Sequence, residues 1–192
     1  MFKRSAMELK SVQCLATTGV LIAAYVILKA YTTIDIAPPI LRFNFCYVVL
    51  AAIGMLYGPV VAMVAAIPCD LLGMVLRGGG GGSVMWGLTL VYVFQGLVYG
   101  VFLYGFELKK SFLKNVKLVT AQAMIIFISQ LVLVTTVLYL YGILGSDGTP
   151  VRTLITMRAV KNLIEFPVSV VLLYMILVPI RVAYKKTVRR TT

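Results

Sequence analysis

Polar and charged side chains are concentrated at the head of the last apolar segment, in the sequence MRAVKNLIEFP. Arg158, Asn162 and Glu165 are spaced by four and then three residues. On an α-helix, residues with this spacing share one face. A guanidinium group binds both oxygens of a carboxylate, and a carboxylate beside an amide suits a ligand edge rich in N–H donors. The spacing therefore predicts one wall of a pocket for an anionic organic ligand.

Further residues suited to such a pocket lie near the ends of other apolar segments. Asp70 and Arg77 are seven residues apart and share a helix face. Aromatic side chains near segment ends can stack on a flat ring, although they also anchor helices at the membrane interface. The candidate ligand-binding residues are Tyr31, Arg42, Asn44, Asp70, Arg77, Trp86, Arg158, Asn162 and Glu165.

The composition indicates that membrane-spanning helices position these residues. The chain has 192 residues, of which 61% are hydrophobic and only 12% are charged. Soluble domains have about 25% charged residues. The net charge of +12 is carried mostly between apolar runs, so we interpret it as membrane topology rather than nucleic-acid binding. The chain has no histidine, and Cys14, Cys46 and Cys69 are predicted to be buried thiols, so no metal site is expected.

Six apolar segments are long enough, or nearly so, to cross the hydrocarbon core, which takes roughly 20 residues per helix. The first lacks a small-residue cleavage site and is interpreted as a retained span rather than a signal peptide. We therefore predict a single all-α integral membrane domain of six transmembrane helices. The predicted spans are 12–31, 41–56, 60–76, 84–106, 116–141 and 156–183.

The distribution of lysine and arginine predicts the orientation of these spans. Basic residues are most frequent at both termini and in the loop ELKKSFLKNVK. With six spans, both termini and this loop lie on the same side of the membrane. Because positively charged loops stay in the cytoplasm, we expect a multi-pass protein of the cytoplasmic membrane with both termini inside.

Ion pairing within the protein is the alternative to a ligand pocket. Asp70 would pair with an arginine, and Glu165 with Lys161 at i, i+4. In the outer half, however, basic residues outnumber acidic ones. The bases are Lys29, Arg42, Arg77, Arg152, Arg158 and Lys161, and the acids are Asp35, Asp70, Asp147 and Glu165. This surplus of positive charge favours an anionic ligand.

Small residues recur at helical spacing in three segments. They are Ala16, Gly19 and Ala23 in the first, Ala62 and Ala66 in the third, and Gly96 and Gly100 in the fourth. Such faces let helices approach closely, and one of the three is available to contact an outside partner. The segment RGGGGGS is either a flexible turn or a place of close backbone approach to a ligand.

Sequence motifs for enzymatic chemistry are missing. The chain has no Walker A sequence, no GxSxG and no HExxH, so it is not expected to hydrolyse ATP or to act as an enzyme. No catalytic residue or covalently bound cofactor is predicted.

Four sequence blocks resemble the substrate-binding S component of energy-coupling factor (ECF) vitamin transporters, most closely the folate family. They are ILRFNF at 40–45, YGPVVAMVAAIPCDLLGMVL at 57–76, GLTLVYVFQGLVYGVFLY at 87–104 and RAVKNLIEFPVSVVLLY at 158–174. Two features depart from the family pattern: RGGGGGS replaces a segment often rich in Pro and Phe, and Glu165 occupies a position expected to be apolar.

The resemblance implies a six-helix S-component bundle in the lipid membrane that captures folate or a reduced folate from outside. It further implies docking, through the face containing Ala16, Gly19 and Ala23, onto a membrane coupling subunit, EcfT. Two ATPase subunits of the complex, and not this chain, would use ATP. Two alternatives stay open: an S component for another vitamin or precursor, and a small membrane scaffold without a small-molecule ligand.

Overall fold

Helices form nearly all of the part of the chain that the structure describes. The computed structural model describes residues 2–32, 34–37, 41–43, 45–76, 86–105, 116–141 and 151–191. The helices are α1 (Phe2–Glu8), α2 (Val12–Tyr31), α3 (Tyr47–Tyr57), α4 (Pro59–Leu76), α5 (Trp86–Leu103), α6 (Val116–Met124), α7 (Val134–Leu140) and α8 (Val151–Thr191). A π-helical segment, Ile125–Leu133, joins α6 to α7.

Four helical stretches in the described residues are long and apolar enough to cross a membrane. They are Val12–Tyr31, Trp86–Leu103, Val116–Leu140 and Ile155–Tyr184. The apolar helices α3 and α4 are shorter than this criterion requires. The protein is therefore a helical protein with several membrane-spanning segments, and the count of six crossings stays a prediction.

A short β-hairpin corrects the expectation of a purely α-helical chain. Strand β1 (Ile34–Ala37) pairs antiparallel with β2 (Leu41–Phe43), with Asp35 opposite Arg42. The predicted second span begins at residue 41, but α3 begins at Tyr47, because residues 41–43 pair in strand β2. Apolar content alone does not distinguish a short apolar strand from the first turn of a helix.

The last helix is longer than its predicted span of 156–183. Helix α8 has 41 residues, which corresponds to about 60 Å at 1.5 Å per residue. The hydrocarbon core is about 30 Å thick, so α8 is long enough to continue well beyond it.

Two of the three small-residue patterns serve internal packing. A Cβ atom at Gly96 would lie 2.7 Å from the carbonyl oxygen of Ala62, so only glycine permits this contact between α5 and α4. Likewise, a Cβ atom at Gly54 on α3 would lie 2.9 Å from the backbone nitrogen of Gly100 on α5. Ala62 and Ala66 are fully buried. Helix α5 thus packs closely against both α3 and α4, as small residues permit in membranes.

The turn between α3 and α4 is closed by a side chain from α1. Gly58 has φ +88°, a conformation that favours glycine. The hydroxyl of Ser5 donates a hydrogen bond to the carbonyl oxygen of Tyr57 at 2.7 Å. It accepts one from the backbone N–H of Val60 at 3.1 Å. Helix α1 is therefore hydrogen-bonded to the turn that joins α3 to α4.

Replacement of Gly96 by leucine should destabilise the protein. The added side chain would overlap the backbone of α4, and overpacking of this kind costs about 1–3 kcal/mol. Thermal unfolding in detergent is measurable with a thiol-reactive dye, because Cys14, Cys46 and Cys69 are all buried. Gly19→Leu is the matched control, since a Cβ at Gly19 meets no atom within 4 Å. Equal melting temperatures for the two variants would contradict this packing.

Candidate ligand-binding site

One face of α8 contributes two deeply buried polar side chains. Arg158 is 6% exposed and Asn162 is 4% exposed, and they lie one turn apart. The Nη1 of Arg158 donates a hydrogen bond to the hydroxyl of Thr135 on α7, at 3.3 Å. Helix α7 thus holds the guanidinium group at one end.

Two donor atoms on this face are buried without an acceptor. Among the described residues, neither the Nε of Arg158 nor the Nδ2 of Asn162 has a hydrogen-bond partner. A buried polar group without a partner costs about 1–3 kcal/mol, and more when it is charged. Native proteins retain few such groups, and each calls for an explanation. A ligand that supplies oxygen or nitrogen acceptors would satisfy both donors.

Glu165 and Tyr47 add further polar groups beside these donors. The carboxylate of Glu165 lies 2.9 Å from the Nζ of Lys161, one turn away on α8, so the alternative of internal pairing holds for this residue. From α3, Tyr47 brings a buried hydroxyl that has no partner among the described residues. Helices α3 and α8 pack against each other, so two neighbouring helices contribute an acidic group and a hydroxyl.

Asp70, in contrast, is fully satisfied inside the protein. It is completely buried, and its Oδ1 lies 2.8 Å from the Nζ of Lys29 on α2. The hydroxyl of Thr89 on α5 donates to its Oδ2, also at 2.8 Å. The pairing anticipated for Asp70 exists, but the cation is Lys29 and not an arginine. Both carboxylate oxygens are thereby engaged.

Two aromatic rings border the ammonium group of Lys29. Its Nζ lies 5.0 Å from the ring centre of Tyr92 and 5.7 Å from that of Tyr25, within the range of cation–π attraction. The lysine stem passes directly over Gly73, where a Cβ atom would collide with the lysine Cδ. The absence of a side chain at Gly73 thus makes room for the aliphatic part of Lys29.

Among the remaining predicted site residues, the structure describes the side-chain surroundings of Tyr31 and Trp86 only. Tyr31 and Trp86 are 86% and 63% exposed, which favours the alternative of membrane-interface anchors. Arg42 belongs to strand β2 and not to a helix. Asn44, Arg77 and the RGGGGGS segment lie outside the described residues. The ligand-binding roles of these residues stay predictions.

Three side chains near the polar groups were missed by sequence reasoning. Thr135 contacts Arg158, Thr89 contacts Asp70, and Tyr47 lies on α3, which packs against α8. Each comes from a different helix, and a single threonine or tyrosine in an apolar run does not by itself indicate a polar partner. Only Lys29 carried a usable signal, because a lysine within a membrane span requires a partner.

The small-residue face of α2 is open. Ala16, Gly19 and Ala23 are all exposed, and no atom lies within 4 Å of the position of a Cβ at Gly19. Of the three small-residue patterns, this is the one that the described residues leave uncovered.

A groove of about 240 Å³ between α2, α3 and α8 has an entirely apolar lining. Leu21, Phe45 and Ile176 are among its lining residues. Ligand sites combine apolar walls with a few polar groups that orient the ligand. The groove has none, so the buried donors of α8 remain the better candidate site.

Comparison with known proteins gives consistent matches along the chain. A sequence profile described as "ECF-type riboflavin transporter, S component" matches residues 9–186. A protein of Clostridium novyi (strain NT) named "Folate transporter FolT" is 31% identical over 141 residues, covering 73% of this chain and 75% of that protein. A protein of the same name from Streptococcus mutans serotype c (strain ATCC 700610 / UA159) is 30% identical over 171 residues, covering 82% and 90%.

The fold is also similar to that of a solved structure. The structure described as "Crystal structure of FolT bound with folic acid" superposes with a TM-score of 0.69 and covers 85% of this chain and 92% of its own. The two sequences are 24% identical, so this match concerns the fold alone.

Removal of either partner of the Lys29–Asp70 pair should destabilise the protein strongly. Lys29→Met or Asp70→Leu leaves one buried charge uncompensated, which costs on the order of 3–5 kcal/mol. The double variant Lys29→Met/Asp70→Leu has no buried charge left and should recover much of the lost stability. Thermal unfolding of the three variants tests this, with Lys10→Met, at an exposed position, as control. A double variant no more stable than the worse single variant would contradict the pairing.

Proposed function

The chain belongs to the family of S components of ECF transporters, and from this premise we propose that it is the folate-binding subunit of such a transporter. Members of this family are transport subunits and not enzymes. The observation that carries the proposal is the pair of buried donors on α8, Arg158 Nε and Asn162 Nδ2, which lack acceptors among the described residues.

Folate is the ligand that best fits both the polar groups of the site and the names of the relatives. Two relatives at 30–31% identity are named folate transporters, and the similar solved fold holds folic acid. Folate has a flat ring with an amide-like edge and two carboxylates on a glutamate tail. Guanidinium groups recognise carboxylates in a bidentate manner, and an amide with a carboxylate can read a ring edge that has both donors and acceptors.

We assign the roles within the site as follows. Arg158 binds a carboxylate of the ligand, while Asn162 and Glu165 read the edge of the ring. Asp70 is assigned a structural role, because Lys29 and Thr89 already engage both of its oxygens. Arg42 and Arg77 remain candidates for a second carboxylate near the mouth.

Riboflavin is the second candidate, because the family profile that matches residues 9–186 names it. Riboflavin also has a flat ring with carbonyl acceptors and an imide N–H, but it has no carboxylate. The buried guanidinium of Arg158 therefore favours folate. A scaffold without a ligand is less consistent with two buried donors that have no acceptor.

The exposed face of α2 is proposed as the surface that docks onto the coupling subunit EcfT. Ala16, Gly19 and Ala23 would allow a partner helix to approach closely within the lipid bilayer. Both termini would lie in the cytoplasm, where two ATPase subunits of the complex hydrolyse ATP. The ligand would be captured from the outside of the cell membrane.

Arg158→Ala should weaken folate binding by about 1.5–3 kcal/mol, the contribution of a hydrogen bond to a charged group. Titration calorimetry of the detergent-purified protein measures the affinity, with Arg181→Ala on the same helix as the matched control. Riboflavin, titrated in parallel, distinguishes the second candidate. Wild-type affinity for folate in Arg158→Ala would contradict the assignment of the arginine.

Identification of small molecules released when the wild-type protein is denatured tests the ligand itself. Folate detected by mass spectrometry, together with saturable binding on titration, is the expected result. Release of a different vitamin would retain the family and replace the ligand. A protein that releases nothing and binds neither folate nor riboflavin would contradict the proposed function.

Gly19→Leu should separate ligand binding from transport. The new side chain has space within the protein, so folding and folate affinity should be unchanged. It would, however, hold a partner helix away from α2, and co-purification with the coupling subunit and folate uptake in cells should be lost. Thr120→Leu, at an exposed position of α6, is the control. Normal uptake by Gly19→Leu would exclude this face as the docking surface.

A further inference from the structure

The π-helical segment Ile125–Leu133 lies just before the residue that contacts Arg158. It spans nine residues, whereas most π-helical stretches are single turns, and such turns occur frequently at functional sites. Thr135 follows the segment by two residues. Its hydroxyl accepts the hydrogen bond from Arg158 Nη1.

A π-helix changes the direction in which later side chains point. Its i→i+5 hydrogen bonds place more residues in each turn than the 3.6 of an α-helix. Residues after the segment are therefore rotated about the helix axis relative to a continuous α-helix. Thr135 faces α8, while the next residue, Thr136, is exposed and bonds back to the carbonyl oxygen of Val132 at 2.8 Å. Which threonine meets Arg158 thus depends on the π-helical geometry.

One buried hydrogen bond holds this segment against α5. The Nε2 of Gln95 donates to the hydroxyl of Ser129, in the middle of the segment, at 3.0 Å. Gln95 is 2% exposed and Ser129 is fully buried. Between apolar helices in lipid, packing alone does not need polar side chains. A buried polar pair instead restricts the register in which the two helices can pack.

We propose that the Gln95–Ser129 hydrogen bond is a positioning element of the ligand site, which holds the π-helical segment in the register that presents Thr135 to Arg158. This rests on the proposed function of Arg158 as the residue that binds the anionic part of the ligand. Thr135 restrains the guanidinium at Nη1, while Nε is buried without an acceptor among the described residues. Gln95 and Ser129 are positioning residues, because they act on the ligand only through Thr135 and Arg158.

A double-mutant cycle tests the proposal. Gln95→Leu/Ser129→Ala removes both partners, so no buried group is left unsatisfied and the melting temperature should change little. Folate affinity should fall about tenfold, the scale of one hydrogen bond to a charged group. In a Thr135→Val background the same pair of substitutions should cause no further loss, because the residue through which they act is already gone.

The control is an equivalent hydrogen bond ahead of the segment. One turn along α5, the hydroxyl of Tyr99 donates to Gln122 on α6 at 2.7 Å. Tyr99→Phe/Gln122→Leu should leave folate affinity within about twofold of wild type. An equal loss in both double variants, or a loss that is additive with Thr135→Val, would overturn the proposal and indicate a general packing role.

A measurement without ligand keeps this test separate from the identity of the vitamin. Hydrogen exchange of the ligand-free protein should become faster over residues 125–140 in Gln95→Leu/Ser129→Ala and not in the control variant. Unchanged exchange there would overturn the proposal even if folate binds. Wild-type protein that does not bind folate, with the exchange result as expected, would instead contradict the proposed function and leave the positioning role of Gln95 supported.

Discussion

The ion pair between Lys29 and Asp70 is the interaction on which the arrangement of the first helices depends. Two opposite charges in the apolar interior are tolerable only when each compensates the other and hydrogen bonds satisfy the remaining atoms. Here Thr89 takes the second carboxylate oxygen, and two aromatic rings border the ammonium group. The pair joins α2 to α4, and Thr89 extends the connection to α5. It also fixes the rotation of α2, because burial of Lys29 and Tyr25 on one side turns Ala16, Gly19 and Ala23 outward.

Hydrogen-bond accounting separates the structural polar residues from those available to a ligand. Asp70 and Arg158 are both buried and charged, and both lie on helices in apolar surroundings. Asp70 has a partner at each oxygen, whereas Arg158 has one partner and a buried Nε without one among the described residues. A buried carboxylate and a buried guanidinium can each bind a ligand, so residue type and burial alone do not show which residue is structural and which is free to bind. The difference lies in which atoms the protein has already satisfied.

Sequence patterns predicted those features of the site that depend on residues close together in the chain. Helical spacing placed Arg158, Asn162 and Glu165 on one face of α8, and the same reasoning anticipated the pair of Glu165 with Lys161. Contacts between distant residues were beyond such patterns. Lys29 and Asp70 are 41 positions apart, and nothing in their own segments indicates that they meet. The hydropathy of their own sequences likewise indicates neither the π-helical segment Ile125–Leu133 nor the pairing of β1 with β2.

The hydroxyl of Ser5, on α1, caps the N-terminus of α4. The first N–H groups of a helix are usually satisfied by the side chain just before it, but that position is Gly58, which has none. Pro59 removes one donor, and Ser5 accepts from Val60, the next residue. A side chain from α1 therefore completes the helical hairpin. Ser5 is 55 positions from Val60 in the chain, so the first turn of α4 gains this cap only after α1 has packed against it.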